Sequence, residues 1–194
     1  MADELTINEV AYIAEVSTRS VEKAIETGIM KPVKHRGMFT RTRSRFLNLD
    51  AVCYFAVVGH LMILKEIPVG PKKILMKAIR GVDGKNLIPL DLESGLQVDL
   101  PMIAGAKLKN PRAYLANNKR HITSDLEIFG GVPIIKGTRI PVYAVRGRLA
   151  DGDTINDLVD DYLEIPREAF IAADIYARTH PEREHSLVAG RPWR

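Results

Sequence analysis

Residues 130–142 read GGVPIIKGTRIPV, and the triplet Lys136-Gly137-Thr138 within them is the nearest approach to phosphate chemistry in this chain. A P-loop needs glycine, four residues, then glycine, lysine and serine or threonine, so that successive N–H groups face the phosphates and lysine follows them. Here lysine and glycine are exchanged, and Pro133 removes one donor. The segment does not spell G-x-G-x-x-G either, which excludes a dinucleotide fingerprint. The five histidines (His35, His60, His121, His180, His185) show no metal-ligand spacing with cysteine or with one another. Cys53 lies in an apolar helical run and reads as packing. Asp157, Asp160, Asp161 and Glu164 mimic a carboxylate pair, but helix periodicity turns most of them away from the Leu158, Val159 and Tyr162 face, as on a solvated surface. No catalytic constellation emerges, so the expectation is a protein that is not an enzyme and uses no cofactor or metal.

The basic residues carry a stronger signal. Between Thr27 and Leu49 stand Lys31, Lys34, Arg36, Arg41, Arg43 and Arg45, with no acid among them. On a strand, the alternating Arg41, Arg43 and Arg45 project from one face as a comb, and phosphate oxygens offset the repulsion between them. Upstream, Arg19, Ser20 and Lys23 lie off the apolar face of a short helix near its N-terminus, where a recognition helix meets base edges and phosphate. The candidate DNA-binding set is therefore Arg19, Ser20, Lys23, Lys34, Arg36, Arg41, Arg43 and Arg45. The competing reading is a solvated basic surface on a winged helix that binds protein.

Elements that position this set follow from the patterning. Thr6 and Glu9 have capping-box spacing before Ile7, Val10, Ala11 and Ala14. After a break at Glu15-Val16-Ser17, Ser17 caps a second helix with Val21, Ala24 and Ile25 on its apolar face and a stop at Gly28. Two such helices make a helix-turn-helix. Residues 29–34 and 39–47 read as strands reversing at His35-Arg36-Gly37, which makes a wing. Asn48 or Asp50 is expected to cap a third helix running through Val52, Phe55, Ala56, Val58 and Leu61.

Residues 65–120 connect: a helix from Pro71 to Gly81, a hairpin of Ile88, Leu90, Leu92 against Leu96, Val98, Leu100 about Glu93-Ser94-Gly95, then a linker, AGAKLKNPRAYLANNKR. From 121 to 180 a short hairpin, reversing at Gly130-Gly131, leads into three helices, with Thr138 expected to cap the first. The next two run from about Thr154 to Leu163 and from about Pro166. Residues 181–194 read as a flexible tail. The fold class implied is α+β, mainly helical: two winged helix-turn-helix-like modules (1–64 and 121–180) joined by a helix and a β-hairpin.

Charge divides the chain. Residues 1–64 hold 8 Lys or Arg against 7 Asp or Glu, residues 65–120 hold 11 against 5, and residues 121–194 hold 9 against 12. Between Pro141 and Arg178 stand four arginines and eight acids, a balance that repels phosphate and suits a protein partner or dimerisation. One cysteine excludes an internal disulfide and suits a reducing compartment. The first residues lack the basic and apolar regions of a signal peptide, and no apolar run approaches a membrane span, so a cytoplasmic location without membrane contact is expected.

Two resemblances sharpen these expectations. LTINEVA, VSTRSVEKAIETGIMKP, the basic wing and FLNLDAV resemble the winged-helix DNA-binding domain of MerR-type regulators. The match departs at Glu15, where that family usually has glycine, and in lacking the aromatic pair usual in the second helix. ITSDLEI, GGVPIIKGTRIPV and REAFIAADIYA resemble a short bacterial domain of unknown function, over residues 121–177. Proteins with that domain resemble antitoxins of type II toxin–antitoxin pairs, and the combination resembles a VapB-like antitoxin. The resemblance implies a PIN-domain ribonuclease toxin as partner, operator DNA bound by a homodimer, and repression of its own operon.

PIN nucleases hold divalent metal in carboxylates that a cationic peptide could occupy. In the tail, Leu187 could anchor, Trp193 could fill an apolar groove, and Arg191 or Arg194 could meet those acids. Incidental arginines on a disordered terminus are the competing reading. A stand-alone MerR-like transcriptional regulator with a C-terminal dimerisation module is the alternative for the whole chain.

Overall fold

A computed structural model describes residues 4–36, 43–60, 66, 68–80, 90–92 and 96–182. The fold is α+β and mainly helical, and the chain divides into two compact units, Met1–Lys119 and Arg120–Arg194.

The first unit opens with strand β1 (Glu4–Thr6), helix α1 (Ile7–Ile13), helix α2 (Thr18–Glu26), strands β2 (Val33–Arg36) and β3 (Arg43–Asn48), and helix α3 (Asp50–His60). Thr6 caps α1 through a complete capping box: its hydroxyl accepts from Glu9 N at 3.2 Å, and Glu9 Oε2 accepts from Thr6 N at 2.7 Å. Helix α1 ends with Val16 N bonded to Ala11 O and Glu15 N to Tyr12 O, a Schellman closure that puts Glu15 at φ 55. Helix α2 closes in the same way, Ile29 N reaching Ala24 O and Gly28 N reaching Ile25 O, with glycine in the left-handed position at φ 70. In α3 the residues Ala51 to Val57 are all buried, so this helix is apolar on every side and forms the core of the unit.

Three sequence expectations change here. The sheet has three strands in the order β1-β3-β2, because Glu4-Leu5-Thr6 pairs with Phe46, Leu47 and Asn48. A three-residue strand is too short to show periodicity, and only its partner reveals it. The strand expected from residue 29 begins at Val33, since Ile29 and Met30 are buried and their N–H groups close α2. His35 and Arg36 do not form the reversal; they pair with Ser44 and Arg43, and the chain between Arg36 and Arg43 lies outside the described residues.

Helix α4 (Val69–Ile79) begins two residues before Pro71, and strands β4 (Leu90–Leu92) and β5 (Leu96–Val98) pair Leu90 with Val98 and Leu92 with Leu96. The expected turn at Glu93-Ser94-Gly95 and the stop at Gly81 lie outside the described residues. The segment expected as a linker is helical, inside α5 (Leu100–His121). Asparagine and lysine give the segment the composition of a linker, yet alanine and leucine recur through it, and both have high helix propensity. Tyr114 and Leu115 are buried, and Tyr114 Oη donates to Glu9 Oε1 at 2.6 Å. That anchoring opposes the cost of about 3 kcal/mol that proline imposes inside a helix.

In the second unit, strands β6 (Ile122–Thr123) and β7 (Ile134–Ile135) pair antiparallel, followed by helices α6 (Val142–Ala150), α7 (Ile155–Asp161) and α8 (Arg167–Thr179). Gly130 and Gly131 have positive φ but belong to a single 3₁₀ turn within the longer connection 124–133, so they do not form a tight reversal. Pro141, not Thr138, is the N-cap of α6. Thr138 instead closes the turn after β7, its hydroxyl donating to Ile135 O at 2.8 Å and accepting from Ile140 N at 3.0 Å. Thr154 caps α7 with Asp157 in a second capping box. The core gathers Ile134, Ile135, Val142, Val145 and Leu158 around Phe170 and the alanines Ala169, Ala172 and Ala173 of α8, whose small side chains let neighbouring elements approach closely.

Candidate nucleic-acid interface

Ser17 opens α2 with its hydroxyl accepting from Ser20 N at 3.1 Å, and the Ser17 and Ser20 hydroxyls lie 2.8 Å apart. With Val21 and Ala24 buried, Arg19, Ser20 and Lys23 are left exposed on the opposite side. Ser20 thus has a structural partner, while its hydroxyl retains hydrogen-bonding capacity.

The wing shows a feature that spacing alone did not reveal. Lys34 stands directly opposite Arg45, and Arg36 directly opposite Arg43. Residues paired across strands share one face, so the described side chains of Lys34 and Arg45 put like charge against like charge, at a cost of up to about 1 kcal/mol. Alternation places Leu47 of β3, and Leu5 opposite it, on that same face. Lys34 and Arg45, both exposed, therefore prolong the side of the hairpin that carries Leu5 and Leu47. Arg45 also reaches α2: its Nη2 lies 3.4 Å from Glu22 Oε1, tying wing and helix into one surface. Arg41 lies outside the described residues.

Sequence reasoning missed two acids in this surface. Glu22 partners Arg45, and Glu26 lies 3.7 Å from Arg19 Nη1. The alternation Arg19, Glu22, Lys23, Glu26 was visible in the sequence, but the strand partner of Glu22 was not. Glu9 was read only as a cap, although it also takes the Tyr114 hydroxyl. Asn118 Nδ2 donates to that hydroxyl at 3.2 Å, and Asn118 Oδ1 is buried with no hydrogen-bond partner. Cys53 is buried, and burial pushes its thiol up to about 12, so it is inert as a nucleophile.

In the second unit Arg146, Arg148 and Arg178 hold carboxylates. Arg148 Nε lies 2.5 Å from Asp153 and its Nη2 2.6 Å from Asp161, while Asp174 accepts from Arg178 at 2.9 Å and meets Arg146 at 3.6 Å. Large apolar side chains remain in solvent: Leu163 is 84% exposed, Leu126 68% and Phe129 54%. Among the described residues no group of acids, histidines or cysteines is arranged to hold a metal ion. Nor is any helix there long and apolar enough to cross a membrane. The toxin-facing candidates Leu187, Arg191, Trp193 and Arg194 lie outside the described residues.

Residues 122–177 match the family model described as protein of unknown function, DUF433. This DUF433 segment falls within the second unit and contains the GGVPIIKGTRIPV stretch. The chain is also similar to the uncharacterized protein y4eO of Sinorhizobium fredii (strain NBRC 101917 / NGR234), at 33% identity over 96 residues. That similarity covers 49% of this chain and 42% of the relative, so the chain spans less than half of the relative's length. No solved structure matches the chain.

Proposed function

We propose that the chain is a DNA-binding antitoxin of the VapB-like type, whose MerR-like first unit grips operator DNA while the DUF433 segment and tail engage a PIN-domain ribonuclease. The observation that carries the DNA-binding part is the pairing of Lys34 with Arg45 and of Arg36 with Arg43, on a wing tied to α2. Cations forced opposite one another in a folded protein are relieved by a polyanion, and duplex phosphates supply one at the spacing of a wing and a helix. A homodimer would place two such units one helical turn apart on a palindromic operator, repressing its own operon.

The test is the salt dependence of duplex binding. Changing Arg41, Arg43 and Arg45 together to alanine should weaken binding and flatten the slope of log K against log salt by up to about 3, near 0.9 per lost phosphate contact. An unchanged slope would remove the wing from the interface.

The antitoxin part rests on the resemblance of residues 121–177 and on the exposed apolar side chains of the second unit, which suit a protein partner. Those side chains equally suit a second copy of the chain in a stand-alone regulator. Co-expression with the product of the neighbouring gene separates the two: copurification with a PIN-type nuclease supports the antitoxin, and its failure supports the regulator. Deleting residues 186–194 should release the nuclease if the tail blocks its carboxylates.

A further inference from the structure

Nonspecific duplex binding is driven almost wholly by phosphate neutralisation, so a purely basic surface would bind any sequence. This surface is not purely basic. Glu22 lies on α2 one residue before Lys23 and three after Arg19, half-exposed, and reaches across to Arg45 on β3. The side chains of Glu22 and Arg45 are 37% and 42% exposed, so both remain accessible to a ligand. An ionised carboxylate only accepts hydrogen bonds. Against phosphate, guanine O6 and N7, or thymine O4, it is repelled; in the major groove only the amino groups of cytosine N4 and adenine N6 satisfy it.

Resting on the DNA-binding reading above, we propose that Glu22 determines sequence specificity by exchanging partners. In the unbound protein its carboxylate holds Arg45. On a matching half-site the carboxylate transfers to a base amino group, and Arg45 is released to a phosphate. On a mismatched site Arg45 stays with Glu22, or Glu22 is stranded against acceptors, and binding loses a phosphate contact. Glu22 is thus a brake on nonspecific binding as well as a reader of one base pair.

The test uses the full chain and two duplexes: the consensus that it selects from a randomised library, and a shuffled duplex of the same composition. Glu22→Gln is nearly isosteric at a half-exposed position. It should raise affinity for the shuffled duplex by up to about tenfold and steepen its salt slope by about 0.9, one added phosphate contact. At one base pair per half-site, a preference of roughly 5- to 150-fold for the amino-bearing base should relax in Glu22→Ala, which, unlike glutamine, keeps no oxygen to accept from that amino group. In an Arg45→Ala background, Glu22→Gln should give no gain on the shuffled duplex. A wild-type slope in Glu22→Gln or a wild-type preference in Glu22→Ala would overturn the inference, as would a gain that persists undiminished without Arg45. If the wild-type chain selects no duplex, the DNA-binding reading itself fails. If it does, and the Arg41, Arg43, Arg45 triple variant flattens the slope while Glu22→Gln is silent, only the role of Glu22 fails.

Discussion

The two units solve the same local problem with the same device and put it to different uses. Helix α1 is capped by Thr6 with Glu9, and helix α7 by Thr154 with Asp157. Glu9 is buried and also receives the Tyr114 hydroxyl, so the cap doubles as a tie between α1 and α5. Asp157 is exposed and caps its own helix, its carboxyl held below the usual range by the Thr154 backbone and hydroxyl. Charge differs in the same manner. In the second unit Arg148 spans two carboxylates, and Arg146 and Arg178 share a third. On the wing of the first unit cations face cations. What a motif does therefore depends on what the tertiary fold sets against it.

The largest expected effect separates the two caps. Glu9→Ala leaves Thr6 N and the Tyr114 hydroxyl without their buried acceptor, and should destabilise the first unit by about 3 kcal/mol. Asp157→Ala should cost the second unit distinctly less, because water replaces an exposed acceptor. Denaturant dependence of amide exchange in α1 and α7 reads both, and equal losses would break the comparison.

Backbone strain comes next. Gly131 has φ 90, and a Cβ there would meet Leu126 Cδ2 at 3.1 Å, so Gly131→Ala should destabilise the second unit by about 1–2 kcal/mol. The first unit already carries such strain at Glu15, φ 55, so Glu15→Gly should stabilise it by up to about 1 kcal/mol. Thermal melting of each variant tests these opposite signs.

Titration has the smallest effect at neutral pH and acts away from it, with opposite pH dependence in the two units. Burial of Cys53 raises its folded pKa from 9.0 to about 12, so the unfolded chain loses this proton first. The first unit should lose stability as pH rises from 9 towards 12, and the native thiol should resist alkylation at neutral pH. His121 is lowered, chiefly by burial and then by Arg120, so the unfolded chain takes up this proton first. The second unit should weaken as pH falls through the ordinary histidine range. Unfolding across pH, with Cys53→Ala and His121→Gln as controls, checks both directions.

The sequence by itself determined the helices with side-chain caps, α1, α2 and α7, and the proline-led helices α6 and α8: each satisfies most of its needs within about a dozen residues, and Ser17, Thr154 and Gly28 mark ends. It likewise placed Arg19 and Lys23 on an exposed helix face, because a helix fixes side-chain direction by its own period. Only the tertiary structure decided the pairing of β1 with β3, the helical state of the presumed linker, the register that sets Lys34 against Arg45, and the partners of Glu9 and Glu22. Those depend on residues far apart in the chain, where the stabilising contact comes from a neighbour that local patterning cannot specify.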